Sequence, residues 1–174
     1  MCRAHHEEDS LKPGDHPDFF RFAPPPGTSR ESTIRLDREG RFWHDGALVQ
    51  NEALSNALHR WIARHPDDGR YILTNGYDWT YFQVDDVPYI VRSVSIDDAG
   101  VLLSLSDGTV ERMTSQGLRI ASDGALYVTV KGGQFEARFS RHAQTSLAPV
   151  IDEQDGAIVL RVGGQTVRPG DRSS

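Results

Sequence analysis

The sequence predicts an α+β fold of two related halves, each a small, mostly antiparallel sheet with one helix. Three observations predict it. Short apolar stretches of period two alternate with Gly, Asn and Asp turn signals along most of the chain. Only two stretches carry a helical stripe: Leu54, Leu58, Trp61 and Ile62, then Phe135, Phe139, Ala143 and Leu147. Finally, one order recurs. Gly40, Trp43, Gly46, a helix and Asp68-Gly69 before an apolar run are followed later by Gly124, Tyr127, Gly132, a helix and Asp155-Gly156 before another. Such an order is what internal duplication of a strand, helix, strand unit would leave.

Residues 1–29 hold the charged cluster His5-His6-Glu7-Glu8-Asp9 and the run Pro24-Pro25-Pro26-Gly27. They offer too little apolar surface to offset the entropy of ordering, so a mobile tail is expected, with Phe19, Phe20 and Phe22 able to hold part of it down. The N-terminal half, 30–96, begins with a hairpin or meander from Ile34 to Val49 that turns at Arg38-Glu39-Gly40 and Asp45-Gly46. Asn51 suits the N-cap of the first helix, which stops by Pro66-Asp67-Asp68-Gly69. Strands are expected at 71–74, 79–84 and 89–94. In the C-terminal half, 97–174, strands are expected at 101–105, 109–112 and 125–130, a second helix over 134–148, and a last strand pair at 157–162 and 165–168.

With 25 acidic and 19 basic residues the net charge is −6, which disfavours nucleic acid as a partner. No run reaches the roughly 18 apolar residues of a membrane span. Cys2 has no second cysteine to pair with, and the first residues lack the apolar core of a secretory signal, so a cytoplasmic protein is expected. Cys2, His5 and His6 lack the further ligands of a closed zinc site, and neither a metal nor a cofactor is expected. The spacing GxxxxGK[ST] of a phosphate loop is absent from the sequence, and Lys131-Gly132-Gly133 does not substitute for it.

Four motifs, Gly40-Arg-Phe-Trp-His-Asp-Gly46, Asp68-Gly-Arg-Tyr-Ile-Leu-Thr74, Val84-Asp-Asp-Val-Pro-Tyr89 and Phe135-Glu-Ala-Arg-Phe-Ser-Arg141, stand in order across residues 34–170. In these the chain resembles the bacterial domain-of-unknown-function family 1285. It departs from that pattern at Asn75-Gly-Tyr-Asp-Trp79, where the family runs Pro-x-Glu-Lys, and at Gln50-Asn51, where the family places an arginine. The resemblance implies a duplicated core with a pleckstrin-homology-like second half, a nucleotide-like ligand in a cleft between halves, and a signalling role. It supplies no catalytic residue.

The candidate ligand residues are Trp43, Asp85, Asp86, Arg138 and Arg141. Asp85 and Asp86 can be turn caps at a hairpin corner, or can face a ligand or an arginine of the other half. Strand alternation from Phe82 and Val84 puts Asp86 inward and Asp85 outward. Arg138 and Arg141, three apart on the expected helix, can converge on a phosphate or carboxylate. Trp43 and Trp79 sit in strands beside turns, where an aromatic can stack on a ligand, whereas Trp61 is expected in the core. The expected function is binding of a small anionic or nucleotide-like molecule, with homo-oligomerisation left open. The alternatives are a carboxylate-dependent hydrolase or transferase using Asp85 or Asp86 with His44, and a protein-interaction adaptor.

Overall fold

A computed structural model describes residues 11–173, so Cys2, His5 and His6 lie outside the described residues. In chain order the regular elements are β1 (Arg35–Leu36), β2 (Phe42–His44), β3 (Ala47–Leu48), α1 (Glu52–Arg60), β4 (Ile62–Arg64), β5 (Tyr71–Thr74), β6 (Trp79–Tyr81), β7 (Gln83–Val84), β8 (Tyr89–Asp97), β9 (Gly100–Leu105) and β10 (Val110–Arg112). They continue with β11 (Leu118–Ile120), β12 (Leu126–Val130), β13 (Phe135–Phe139), α2 (Arg141–Ser146), β14 (Ile151–Gln154), β15 (Ala157–Val162), β16 (Gln165–Val167) and β17 (Gly170–Asp171). The fold is thus α+β, mostly sheet with two short α-helices.

The chain forms two compact units, one of residues up to Ser32 with Trp61–Phe82, the other of Thr33–Arg60 with Gln83–Ser174. This division cuts across the expected halves 30–96 and 97–174.

In the first unit β4, β5 and β6 form an antiparallel meander. Phe19 is buried against Ile72 and Trp79, with Phe20, Ala63 and Tyr81 around them. The segment expected as a mobile tail over 1–29 is therefore folded from residue 11 onward. Its aromatics complete a core that three short strands cannot close alone. Polar contacts fix it further: Gly14 N–H donates to Gly76 O at 2.7 Å, Arg21 pairs with Asp67 at 2.8 Å, and the His65 ring bonds the Phe20 carbonyl at 3.0 Å.

The second unit holds a four-stranded sheet in the order β3-β2-β1-β7, a seven-stranded sheet β10-β9-β8-β13-β12-β11-β17 and a three-stranded meander β14-β15-β16. The central strands β8, β12 and β13 carry the fully buried Val91, Val128 and Ala137, and α2 packs on β8 and β13.

Two helix expectations need correction. Residues 135–139, expected in the second helix, are strand β13, and only 141–146 are helical. Phe135 and Phe139 are four apart, a spacing that fits a strand face as well as a helix face. Pairing with β12 on one side and β8 on the other decides for the strand. The helix starts where Ser140 caps it, its Oγ accepting the Ala143 N–H at 3.0 Å. The first helix ends at Arg60, before Trp61 and Ile62, and Leu54 is 45% exposed. Its core side is Leu58 and His59 instead.

The connectivity β1, β2, β3, α1, β4, β5, β6, β7 reappears as β11, β12, β13, α2, β14, β15, β16, β17. Both runs pair the first strand with the second, the second with the third, and the next three as a meander, all antiparallel. Both then pair the first strand with the last in parallel. The correspondence reaches single bonds: Asp85 N–H donates to Leu36 O, and Arg172 N–H to Ile120 O. Gly40 and Gly124 close the equivalent first turns at φ of +82° and +83°, a conformation that costs other residues. At Gly40 a Cβ would in addition lie 2.5 Å from the Ile90 side chain.

Candidate functional site

The second unit gathers charge around the β1–β2 and β11–β12 turns, the stretch after β7, and the faces of β12 and β13. Asp86, inward as alternation requires, accepts the Tyr127 hydroxyl at 2.7 Å and lies 3.6 Å from the Arg172 guanidinium and 4.0 Å from that of Arg38. Arg172 stacks over the Tyr127 ring at 3.8 Å and pairs with Glu136 at 2.9 Å. Burial, and then the bond to Asp86, push the Tyr127 phenol above its ordinary range. Below this layer Tyr127 packs with Val87 and Ala125. Arg172 lies in the expected C-terminal half, so an arginine of the other half does face Asp86, although it is neither Arg138 nor Arg141. Changing Tyr127 to phenylalanine should lower stability by about 1–2 kcal/mol, because it leaves a largely buried carboxylate short of a donor. Urea unfolding measures this, and an unchanged midpoint would mean that the arginines suffice.

Asp85 points outward, and its carboxylate bonds Arg35 and the Gln83 amide rather than a backbone N–H of the turn. The motif at 84–89 is also not a hairpin corner. It joins β7 of the four-stranded sheet to β8 of the seven-stranded one. Trp43 is half-buried, and its indole N–H is taken by Asp37 at 2.8 Å, leaving it a structural partner more than a free stacking face. Asp37 also accepts the Glu39 and Arg41 backbone N–H groups at 3.0 and 2.8 Å. Burial works against its charge, yet the bonds from Trp43 and Arg41 outweigh it and hold the carboxyl below its usual range. His44 lies 3.5 Å from Asp45, both exposed on the β2–β3 turn. Neither Asp85 nor Asp86 is among its ion-pair partners.

Arg138 and Arg141 do come together, although one is on a strand and the other opens a helix. They line one cavity of about 360 Å³ with Asp123, Gly124, Gln144 and Thr145. Arg138 Nε is buried without a hydrogen-bond partner, and its Nη1 reaches the Arg38 carbonyl only at 3.4 Å. No carboxylate pairs with Arg141 among the described residues, while the one on the rim, Asp123, is taken by Arg38 at 2.8 Å. The cavity therefore presents one buried, unbonded guanidinium N–H beside an exposed arginine without a carboxylate partner, a setting in which an anion gains. Among the described residues there is no cluster of three or more His, Cys, Asp or Glu able to hold a metal, and no helix is long and apolar enough to cross a membrane.

Residue-by-residue reading missed Arg38, Asp123, Tyr127 and Arg172. The recurring order carried a signal for them: continued to the last strand, it sets Arg172 opposite Asp85 and Tyr127 opposite Trp43.

No family model matches the chain, and no curated protein matches it. Two solved structures do. A DUF1285 family protein from Silicibacter pomeroyi superposes with a TM-score of 0.65 at 19% identity, covering 86% of this chain and 85% of that one. A second, from Shewanella baltica, gives a TM-score of 0.55 at 14% identity over 70% of this chain and 94% of its own. At these identities the likeness is one of fold. The chain thus shares its fold with DUF1285 family proteins, a family of unknown function and the one its four motifs resemble.

Proposed function

We propose that the protein is a small-molecule binding module whose ligand is anionic, held at the cavity of Arg138 and Arg141. One observation carries the reading: two arginines without carboxylate partners share a concave surface, and one has a buried, unbonded N–H. A guanidinium grips phosphate or carboxylate in two-point contact, and a partly desolvated one gains more from doing so. A volume of about 360 Å³ suits a compact phosphorylated molecule, including the phosphate end of a nucleotide-like ligand. A sensor of such a molecule would fit a signalling role.

The shared pairing pattern of β1–β7 and β11–β17 supports an origin by internal duplication. A seven-stranded sheet with α2 packed on it supports the pleckstrin-homology-like reading, with β8 contributed from before residue 97.

The test is calorimetry of the full chain with pyrophosphate and adenosine monophosphate. We expect Arg138→Gln with Arg141→Gln to leave the thermal melt within a few degrees of the parent and to weaken binding at least tenfold, since each lost charge-assisted bond costs about 1.5–3 kcal/mol. Equal affinity in parent and double variant removes the arginine pair from the site.

A further inference from the structure

A larger cavity, of about 650 Å³, opens in the same unit between the β1–β2 turn, the end of β3, the first turns of α1, and Ile90, Arg92 and Ser140. Its position matches that of the Arg138 and Arg141 cavity in the repeated connectivity. The turn at 39–41 answers to the turn at 123–125. In each, the glycine N–H donates to the carbonyl three residues earlier, Gly40 to Asp37 and Gly124 to Ala121. Leu48, paired with Trp43, answers to Arg138, paired with Tyr127. Ser55 answers to Gln144, because each donates its backbone N–H to the carbonyl of a capping residue, Asn51 or Ser140, at 2.9 Å.

One difference then decides the size. Gln144 spans its concavity, its amide donating to Gly124 O at 2.8 Å while its carbonyl accepts the Leu126 N–H at 3.2 Å. Ser55 has three fewer side-chain heavy atoms, makes no hydrogen bond through its hydroxyl among the described residues, and leaves the counterpart space unfilled.

The lining fixes what could enter. Glu39 and Arg41 compensate each other at 3.7 Å, and Arg41 is bound to Asp37 at 3.0 Å as well. Arg92 has no carboxylate partner among the described residues; its one polar side-chain contact is the His59 ring at 3.4 Å. That ring is uncharged at neutral pH, since burial and Arg92 push it down to about 4. Arg60 lies across a smaller cavity that shares Arg92, also without a carboxylate partner. Among the charged side chains that line the larger cavity, Arg92 is thus the one without a carboxylate partner. Gln50, Ser55 and Ser140 add polar groups, and one patch of the wall is apolar, with Leu48 37% exposed, next to Val49 and Ile90.

We infer that this cavity is a second binding site, for a small amphipathic organic anion whose charged end meets Arg92 and the Ser55 hydroxyl and whose apolar body lies on Leu48, Val49 and Ile90. It is distinct from the Arg138 and Arg141 site and stands whether or not that one binds. The reason is complementarity: a guanidinium without a carboxylate partner rewards the charge and the exposed part of the apolar wall rewards the body.

The probe is 8-anilinonaphthalene-1-sulfonate, titrated into the full chain by fluorescence and calorimetry, with neutral N-phenyl-1-naphthylamine alongside. We expect one-to-one binding of the sulfonate, about tenfold or more weaker in Arg92→Gln. It should be lost in Ser55→Gln, which supplies the closing side chain of the second concavity at a half-buried helix position that tolerates glutamine. It should be unchanged in Arg138→Gln with Arg141→Gln, whereas the pyrophosphate test of the other site should respond to that pair alone. The inference is overturned if the neutral dye binds as tightly as the sulfonate, if Arg92→Gln and Ser55→Gln both bind like the parent, or if only the Arg138 and Arg141 variant loses the dye. Melting curves of each variant confirm that the fold is retained.

Discussion

Phe19→Ala should destabilise the protein by about 3–5 kcal/mol, the cost of emptying a buried aromatic site. The ring is 6% exposed and packs on Ile72 and Trp79. The segment around it holds on through Gly14, Arg21 and the His65 contact to Phe20. Because β4, β5 and β6 have little other apolar cover, a cavity there cannot be refilled by sliding neighbours, which puts the cost toward the upper end. Urea unfolding of parent and variant, followed by Trp fluorescence, measures it. Trp79 lies within the affected core and reports on it directly. A loss below about 1 kcal/mol would return residues 11–29 to the status of a loosely attached tail.

The second large effect is on pH dependence. His59 is almost fully buried, its ring 4.8 Å from that of Phe42 and edge-on to it, with Nδ1 unbonded. Burial first, and Arg92 second, push its pKa down to about 4, while the Gly40 backbone and Asp107 oppose them. An unfolded chain would protonate this ring near 6.5, so between pH 6.5 and 4 the unfolded state binds more protons than the folded one. Stability from this group is therefore fully present above about pH 6.5 and is lost as pH falls toward 4. The total is about 3 kcal/mol. The carboxylates held below their ordinary range, such as Asp37 and Asp107, lose their contributions only at still lower pH, so the two windows separate. Unfolding free energies at pH 7.5, 6.5, 5.5 and 4.5 should fall in the parent and stay much flatter in His59→Leu. Parallel curves for the two proteins would mean that the ring is not the titrating group.

The repeated order of glycine, aromatic, glycine, helix and Asp-Gly was legible because it rests on local chemistry. Gly40 and Gly124 take the left-handed conformation where other residues are strained, and Asp-Gly supports the turns that follow. Most strands were legible for the same reason, since alternation is written in the chain. The inward turn of Asp86 followed from that period too. The span 135–139 was not legible in this way. A four-residue spacing of phenylalanines suits a helix face and a strand face equally, and only β8 and β12 on either side settle the matter.

What the sequence determined by itself was the α+β class, the turns, the doubled order and the arginine pair as a candidate, all set within a few residues of chain. Tertiary structure alone decided that Phe19 closes a core, that Arg138 reaches Arg141 from a strand, and that Asp86 finds Tyr127 and Arg172. The first and the last depend on residues some 40 to 90 positions apart becoming neighbours, and the second on β8 and β12 pairing with β13. Hydrophobic burial and electrostatics act on distance in space, and no local period records which distant groups will share it.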